Sequence, residues 1–265
     1  SYNKNDANEV FSIISEKPKL AELAQLVLTT LNFNEFPKQS FTTLCTTLKN
    51  LEELEISRVN IDGSEIFQAV CSDAPHIRQL IMKGLKFEKK WFLEDKLTLP
   101  IGLIYLDLSE NFFTRSTLAD LLQNITYKVS KLPFFFLLRS IRFTESVYPS
   151  FKTDFNVSLC QPNLLEFDMS GNYFPFVSYE PIFNFIGTQK RIRNLIFTDV
   201  SAENQRYFVH LLASIRSCNF LTGFDLSGNF RPIIIQQFIT SISGNLSIKR
   251  LSLKNSGGGN GSYNM

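Results

Sequence analysis

The sequence predicts an α/β solenoid of about nine repeats. The expected shape is a curved, right-handed arc with a parallel β-sheet on its concave face and helices on its convex face. Three observations predict it. The first is the stretch Leu103-Ile-Tyr-Leu-Asp-Leu-Ser-Glu-Asn-Phe-Phe113, with apolar residues at places one, four and six, Asn at nine and Phe at eleven. The second is its recurrence as Leu164-Leu-Glu-Phe-Asp-Met-Ser-Gly-Asn172 and Leu221-Thr-Gly-Phe-Asp-Leu-Ser-Gly-Asn229. The third is a nearly fixed period. Looser copies start at Leu23, Leu51, Ile77, Pro133, Ile192 and Ile248, so successive starts lie 28, 26, 26, 30, 31, 28, 29 and 27 residues apart. Unrelated buried strands would not keep such a spacing, which marks a repeat architecture.

Taken in order, the chain opens with Asp6 to Glu16, which has helical spacing, no strand motif before it, and Pro18 to end it. It reads as the helical half of a repeat whose strand lies upstream. Each later repeat gives a short strand, a turn and a helical segment. In the second, Asp62-Gly-Ser-Glu65 reads as a capping box that opens a helix over 65–71. In the third, 89–97 is a short helix with Trp91 as its core anchor. Helices are expected over 116–125 in the fourth repeat, 203–215 in the seventh, and 232–242 in the eighth, where Pro232 suits the first turn. Pro149 and Pro181 shorten or delay the helices of the fifth and sixth. The ninth copy has a strand but no helix and runs into a Gly/Ser/Asn tail.

These features set one elongated domain over 1–256 and a flexible tail over 257–265. Neither end shows an obvious polar cap, which solenoids normally need. The chain then reads as a segment of a longer protein, or as one that forms a homodimer through an uncapped end. In the competing reading the first helix is itself the cap.

The 265 residues carry a net charge of +2, and no run of Lys or Arg exceeds two. Nucleic acid is therefore not an expected partner. No apolar run reaches the length of a membrane-spanning helix, and the N-terminus lacks the apolar stretch of a signal peptide. Phe is abundant, at 26 residues, and Phe33, Phe87, Phe113, Phe143 and Phe174 all take place eleven. They are expected to stack in the core. Cys45, Cys71, Cys160 and Cys218 are widely spread and form no C-x-x-C pair, which points to buried free thiols in a reducing compartment. The N-x-S/T tripeptides at Asn124, Asn156, Asn245 and Asn260 are read as unused. The expected location is cytoplasmic, at the cell cortex if the cytoskeletal resemblance below holds.

The motif quoted first is the leucine-rich-repeat consensus, L-x-x-L-x-L-x-x-N-x-L. Over roughly 8–256 the chain resembles the ribonuclease-inhibitor-like class of these repeats. Within that class, its Phe-rich repeats with LDLSEN- and FDLSGN-type strands look most like the CARMIL family of actin-regulatory linkers. The chain lacks the segment with which that family binds capping protein, which lies outside the repeats. The resemblance implies a protein partner in actin regulation. A second member of the class, the GTPase-activating protein of Ran, implies a small GTPase instead.

Side chains alternate along a strand. With places four and six in the core, places three, five and seven face the concave surface. Place five reads Val27, Glu55, Ile81, Asp107, Leu137, Asp168, Ile196, Asp225 and Ser252, alternating apolar with acidic through the eighth repeat. Place seven reads Thr29, Ser57, Lys83, Ser109, Arg139, Ser170, Thr198, Ser227 and Lys254, with Ser in every even repeat. The true period is thus two repeats. The acids Glu55, Asp107, Asp168 and Asp225 should form a row with members roughly 10 Å apart, too far for the paired carboxylates of a hydrolase. Either they pair across strands, as Asp107 would with Lys83 and Arg139, or they face a basic ligand; both can hold together. Ile81, Tyr105, Phe135 and Leu137 should form one apolar patch on adjacent strands. It either binds a partner or is covered from within the protein.

Catalytic patterns are missing from the sequence. His76 precedes a strand and His210 sits in a helix, neither beside a nucleophile. There is no metal-ligand spacing, Walker loop, G-x-S-x-G or G-x-G-x-x-G. No cofactor is expected. The sequence therefore predicts a non-catalytic scaffold that binds a protein on its concave face, with a GTPase activator as the alternative. Such an activator would present a strongly acidic surface, which this nearly neutral chain does not suggest.

Overall fold

The computed structural model describes residues 16, 22–30, 38–88, 99–114, 117–118, 121–122, 134–137, 139, 142–143, 164–174, 180–202, 206–216, 218–228, 239–240, 242–243 and 247–254. Nine strands form one open parallel sheet in strict chain order. They are β1 (Gln25–Thr29), β2 (Glu53–Ser57), β3 (Gln79–Lys83), β4 (Tyr105–Asp107), β5 (Phe134–Leu137), β6 (Leu164–Asp168), β7 (Asn194–Ile196), β8 (Gly223–Asp225) and β9 (Arg250–Ser252). Each covers places three to five of one copy, so every copy read from the sequence supplies a strand. Parallel neighbours need a crossover of about a dozen residues or more, and the repeat period supplies it. This is the leucine-rich-repeat solenoid that the spacing predicts.

Register follows the core. Leu26, Leu54, Leu80, Leu106, Phe136, Phe167, Leu195, Phe224 and Leu251 lie side by side at place four. From β2 to β8 this column is buried almost completely, at 0–2% exposure. It opens at the ends, where Leu26 is half-buried and Leu251 is 40% exposed. One irregularity interrupts the column: Phe134 pairs with Leu164 but Phe135 pairs with Glu166, so Leu165 is an extra residue in β6.

Helices complete the crossovers. The described ones are α1 (Lys38–Thr47), α2 (Gly63–Asp73), α3 (Glu180–Thr188) and α4 (Arg206–Ile215). Strands pack about 4.8 Å apart and helices about 8–10 Å apart, so the sheet takes the inner, concave side. Asp62 is the N-cap of α2, and its carboxylate accepts from the Ser64 amide at 2.8 Å. Leu118, Leu121 and Leu122 are buried helical residues within the expected fourth helix. The helices expected over 6–16 and 89–97, with Trp91, lie outside the described residues, as do Pro149, Pro232 and most of 232–242.

A second ladder, not read from the sequence, runs beside the sheet. Two-residue strands at places ten and eleven pair Lys86–Phe87 with Phe112–Phe113, Phe112–Phe113 in turn with Arg142–Phe143, and Tyr173–Phe174 with Ser201–Ala202. Phe87 and Phe113 stack there with ring centroids 4.6 Å apart, both fully buried. Phe136 and Phe167 stack at 5.2 Å, and each meets the edge of Phe185 from α3.

Buried polar side chains join one repeat to the next. Asn111, fully buried at place nine, donates to the Met82 and Leu108 carbonyls at 2.7 and 2.9 Å and accepts from the Leu85 amide at 2.8 Å. Just before it, place eight turns the chain with a positive φ at all seven described positions. Those residues are Thr30, Arg58, Gly84, Glu110, Gly171, Asp199 and Gly228.

Candidate interaction face

The expected register holds. Places four and six are in the core, and Glu55, Ile81, Tyr105 and Asp225 are half-buried on the opposite face of the sheet. Backbone pairing sets Tyr105 beside Gln79 on one side and Phe135 on the other, and sets Ile81, Asp107 and Leu137 in one row. The side chain of Phe135 lies outside the described residues.

Three expected surface residues are buried instead. Leu137 is 8% exposed, Asp107 2% and Asp168 8%. Longer side chains from adjacent strands cover the two carboxylates. Lys83 Nζ lies 2.9 Å from Asp107 Oδ2, and Arg139 lies 3.9 Å from Asp107 and 3.8 Å from Asp168. The centre of the expected acidic row is thus an internal, charge-balanced network of two carboxylates and two cations. Of the apolar patch, Ile81 and Tyr105 reach the surface.

The two-repeat alternation has a structural cause. In each Asp-x-Ser triplet the carboxylate accepts from the Ser amide: Asp107 from Ser109 at 3.0 Å, Asp168 from Ser170 at 2.9 Å and Asp225 from Ser227 at 2.9 Å. The Ser hydroxyl oxygen then accepts from the place-seven amide of the next repeat. Arg139 donates to Ser109 at 3.1 Å, Thr198 to Ser170 at 3.2 Å and Lys254 to Ser227 at 3.1 Å. The fourth, sixth and eighth repeats therefore clamp the odd repeats that follow them. The recurrent D-x-S was visible in the sequence and is the usual signature of a side chain bonding to its own turn.

Electrostatics differ along the row. Burial raises the Tyr105 phenol, helped by Asp107 and opposed by Arg139 and Lys83. At Asp225 burial opposes ionisation, yet hydrogen bonds from Ser227, Ser252 and Thr198 outweigh it and hold the carboxyl below its ordinary value.

Two features escaped the sequence reading. Place three carries a polar chain in which Asn194 donates to Glu166 at 3.1 Å and accepts from Arg250 at 2.9 Å. Arg250 reaches Asn194 by crossing Gly223, where a Cβ would sit 2.5 Å from Asn194 Oδ1 and 3.1 Å from Arg250 Nη2. A groove of about 520 Å³ lies over β6–β9, lined by Glu166, Asn194, Ile196, Asp225, Lys249 and Arg250 among others.

The remaining candidates are structural. His76 Nε2 lies 3.1 Å from the Leu48 carbonyl. Cys45, Cys71 and Cys218 are buried free thiols, and burial holds Cys45 up at about 12. Cys160, the His210 side chain and the four N-x-S/T asparagines lie outside the described residues. Among the described residues no three His, Cys, Asp or Glu are grouped to hold a metal, and no helix is long and apolar enough to cross a membrane.

No protein-family model matches the sequence, and no curated protein does. Among solved structures, the chain is similar to an internalin (inlF) from Listeria monocytogenes. Identity is 12%, the match covers 96% of this chain and 90% of that one, and the TM-score is 0.33. It is also similar to TLR13 in a complex with a single-stranded RNA, at 14% identity over 89% of this chain, with a TM-score of 0.43. The chain spans 36% of that TLR13 chain.

Proposed function

We propose that the protein is a non-catalytic scaffold that binds a protein partner on its concave face, around Tyr105. One observation carries this reading: Tyr105 is a large ring half-exposed at the centre of the sheet, diagonal to Ile81, with Lys83 and Arg139 close enough to act on its phenol. An aromatic residue among half-exposed charges is the usual anatomy of an interface hot spot. Leu137 lies buried behind this surface as a support, and the backbone of Phe135 pairs beside Tyr105. The helices on the outer side favour the ribonuclease-inhibitor-like class. The resemblance to CARMIL proteins makes the cytoplasmic actin network at the cell cortex the first place to seek the partner.

The GTPase-activator alternative needs a strongly acidic surface, and Asp107 and Asp168 are buried under their own cations. The test is affinity capture from cytosol with the wild-type protein and the Tyr105→Ala/Phe135→Ala variant in parallel. A partner captured by the wild type and lost by the variant, with the melting temperature kept within a few degrees, is the expected result. Equal capture by both sinks the reading. Accelerated GTP hydrolysis by the captured partner would favour the alternative.

A further inference from the structure

Five copies enter their strand through the same turn. The place-one amide donates to the carbonyl three residues before it, at 3.0 to 3.2 Å: Leu51 to Leu48, Ile77 to Ala74, Leu103 to Pro100, Ile192 to Gln189 and Leu221 to Cys218. The pairs at the tips are Lys49–Asn50, Pro75–His76, Ile101–Gly102, Lys190–Arg191 and Asn219–Phe220. The strands that follow pair side by side in chain order, so these tips form one rim of the solenoid. Two properties set the rim apart. Ile101 and Phe220, 72% and 60% exposed, are the most exposed large apolar side chains among the described residues, and both sit at turn tips. The rim is also basic. From the third repeat onward the turn tips and place two carry exposed Arg78, Lys190, Arg191, Arg193 and Lys249, and no Asp or Glu among the described residues. The acids of this rim, Glu22 and Glu52, belong to the first two repeats. Two residues beyond Phe220, Thr222 stands between Arg193 and Lys249: its amide donates to the Arg193 carbonyl at 2.8 Å, and the Lys249 amide donates to its carbonyl at 2.9 Å. The sequence has no run of Lys or Arg longer than two, so the fold gathers this cluster from separate repeats.

We propose that this rim docks on an anionic lipid surface, with Phe220 and Ile101 entering the headgroup layer and Lys190, Arg193 and Lys249 meeting the lipid phosphates and carboxylates. The tips project rather than enclose: the groove over β6–β9 is bordered by Lys249 and Arg250 but by none of the turn pairs. A planar surface that is anionic outside and apolar beneath suits a line of projecting turns with apolar side chains at two tips and cations around them. Ile101 and Phe220 stand four repeats apart, roughly 20 Å along the sheet, so two points of entry fix the orientation of the rim on the surface. Contact through the rim leaves the concave face around Tyr105 uncovered. The two surfaces share no residue, so each can fail without the other.

The test is co-sedimentation of the full chain with vesicles of phosphatidylcholine alone and with about one-third phosphatidylserine. The protein should sediment with the anionic vesicles and at least tenfold more weakly with the neutral ones, and added salt should release it. Lys190→Glu/Arg193→Glu should weaken binding at least tenfold. Phe220→Ser and Ile101→Ser should each weaken it while leaving the melting temperature unchanged, because both side chains are exposed in the folded protein. Phe220→Trp reports on insertion directly. With the wild-type signal of Trp91 subtracted, its emission should move to the blue on anionic vesicles and be quenched by brominated acyl chains. Tyr105→Ala/Phe135→Ala should sediment as the wild type does. Equal binding to neutral vesicles, or undiminished binding by the rim variants, would overturn the proposal. So would an unshifted Phe220→Trp emission on vesicles together with capture of deca-glutamate that the Lys190→Glu/Arg193→Glu variant loses, which would assign the rim to an acidic protein segment instead.

Discussion

Glu110 is a charged residue in a backbone conformation that glycine adopts freely. Its φ is 63°, and Thr30, Arg58 and Asp199 share that conformation at place eight of their repeats, where three other repeats have glycine. A left-handed backbone costs an L-residue roughly 1–2 kcal/mol, which glycine avoids, although its own larger entropy loss on folding offsets part of that gain. Glu110→Gly should therefore stabilise the protein by about 0.5–1 kcal/mol in urea denaturation. Gly84→Ala should do the reverse, because its Cβ would also approach Arg58 Cγ to 3.1 Å. Asn111 has the opposite character, a polar side chain with no exposure and three backbone partners. Asn111→Ala would strand the Leu85 amide and two carbonyls, so a loss of about 3 kcal/mol or more is expected. Leu137 and Tyr105 separate support from surface. Leu137→Ala should cost about 2–3 kcal/mol, and Tyr105→Ala less than about 1 kcal/mol. A Tyr105→Ala cost as large as the Leu137→Ala cost would place the ring in the core and remove the basis for a docking face there.

The helices show what pattern alone can and cannot say. Asp62 was legible as an N-cap because its residue type has few other reasons to precede an apolar helical run. The two-residue strands at places ten and eleven were not, because two residues show no alternation and their Phe side chains fit any core element. Their consequence lies in α2, where a Cβ on Gly63 would stand 2.8 Å from the Phe87 ring, itself stacked on Phe113. Gly63→Ala should cost about 1–3 kcal/mol, and a neutral result would mean that the stack yields easily. Between α1 and α2 the thiol of Cys45 is held at about 12, by burial first and then by Asp73, above its ordinary 9.0. A raised folded value favours the native state fully below about pH 9, and the advantage fades as pH climbs toward 12. Urea stability should fall over that window, and Cys45→Ala should flatten the fall. If the variant and the wild type lose stability in parallel, the buried thiol is not the cause.

Across the whole molecule, the period and the place-four column were legible because burial leaves so little freedom there: one side chain in each repeat must be apolar, and it must recur. The charge network was half legible. Lys83, Asp107 and Arg139 stood in the pattern, but the depth of the carboxylate depends on how far neighbouring strands lean over it. The groove was illegible, since its walls come from side chains of four different repeats. The same column predicts a gradient of opening, since Leu26 is half-buried and Leu251 is 40% exposed while the members between them are buried. Hydrogen exchange should be slowest in β3–β7 and fastest in β1 and β9, and uniform protection across the nine strands would refute it. The Ser clamps carry one more consequence. Each runs from an even repeat to the following odd one, at Ser109, Ser170 and Ser227, so the solenoid has a reading frame of two. Removing or duplicating one repeat would set two clamping strands, or two unclamped ones, against each other and put the whole downstream row out of phase. Removing a pair restores the match at the new junction. Shortened forms of this protein should therefore fold when cut in pairs and fail when cut singly, as text survives the loss of a whole codon better than the loss of one base.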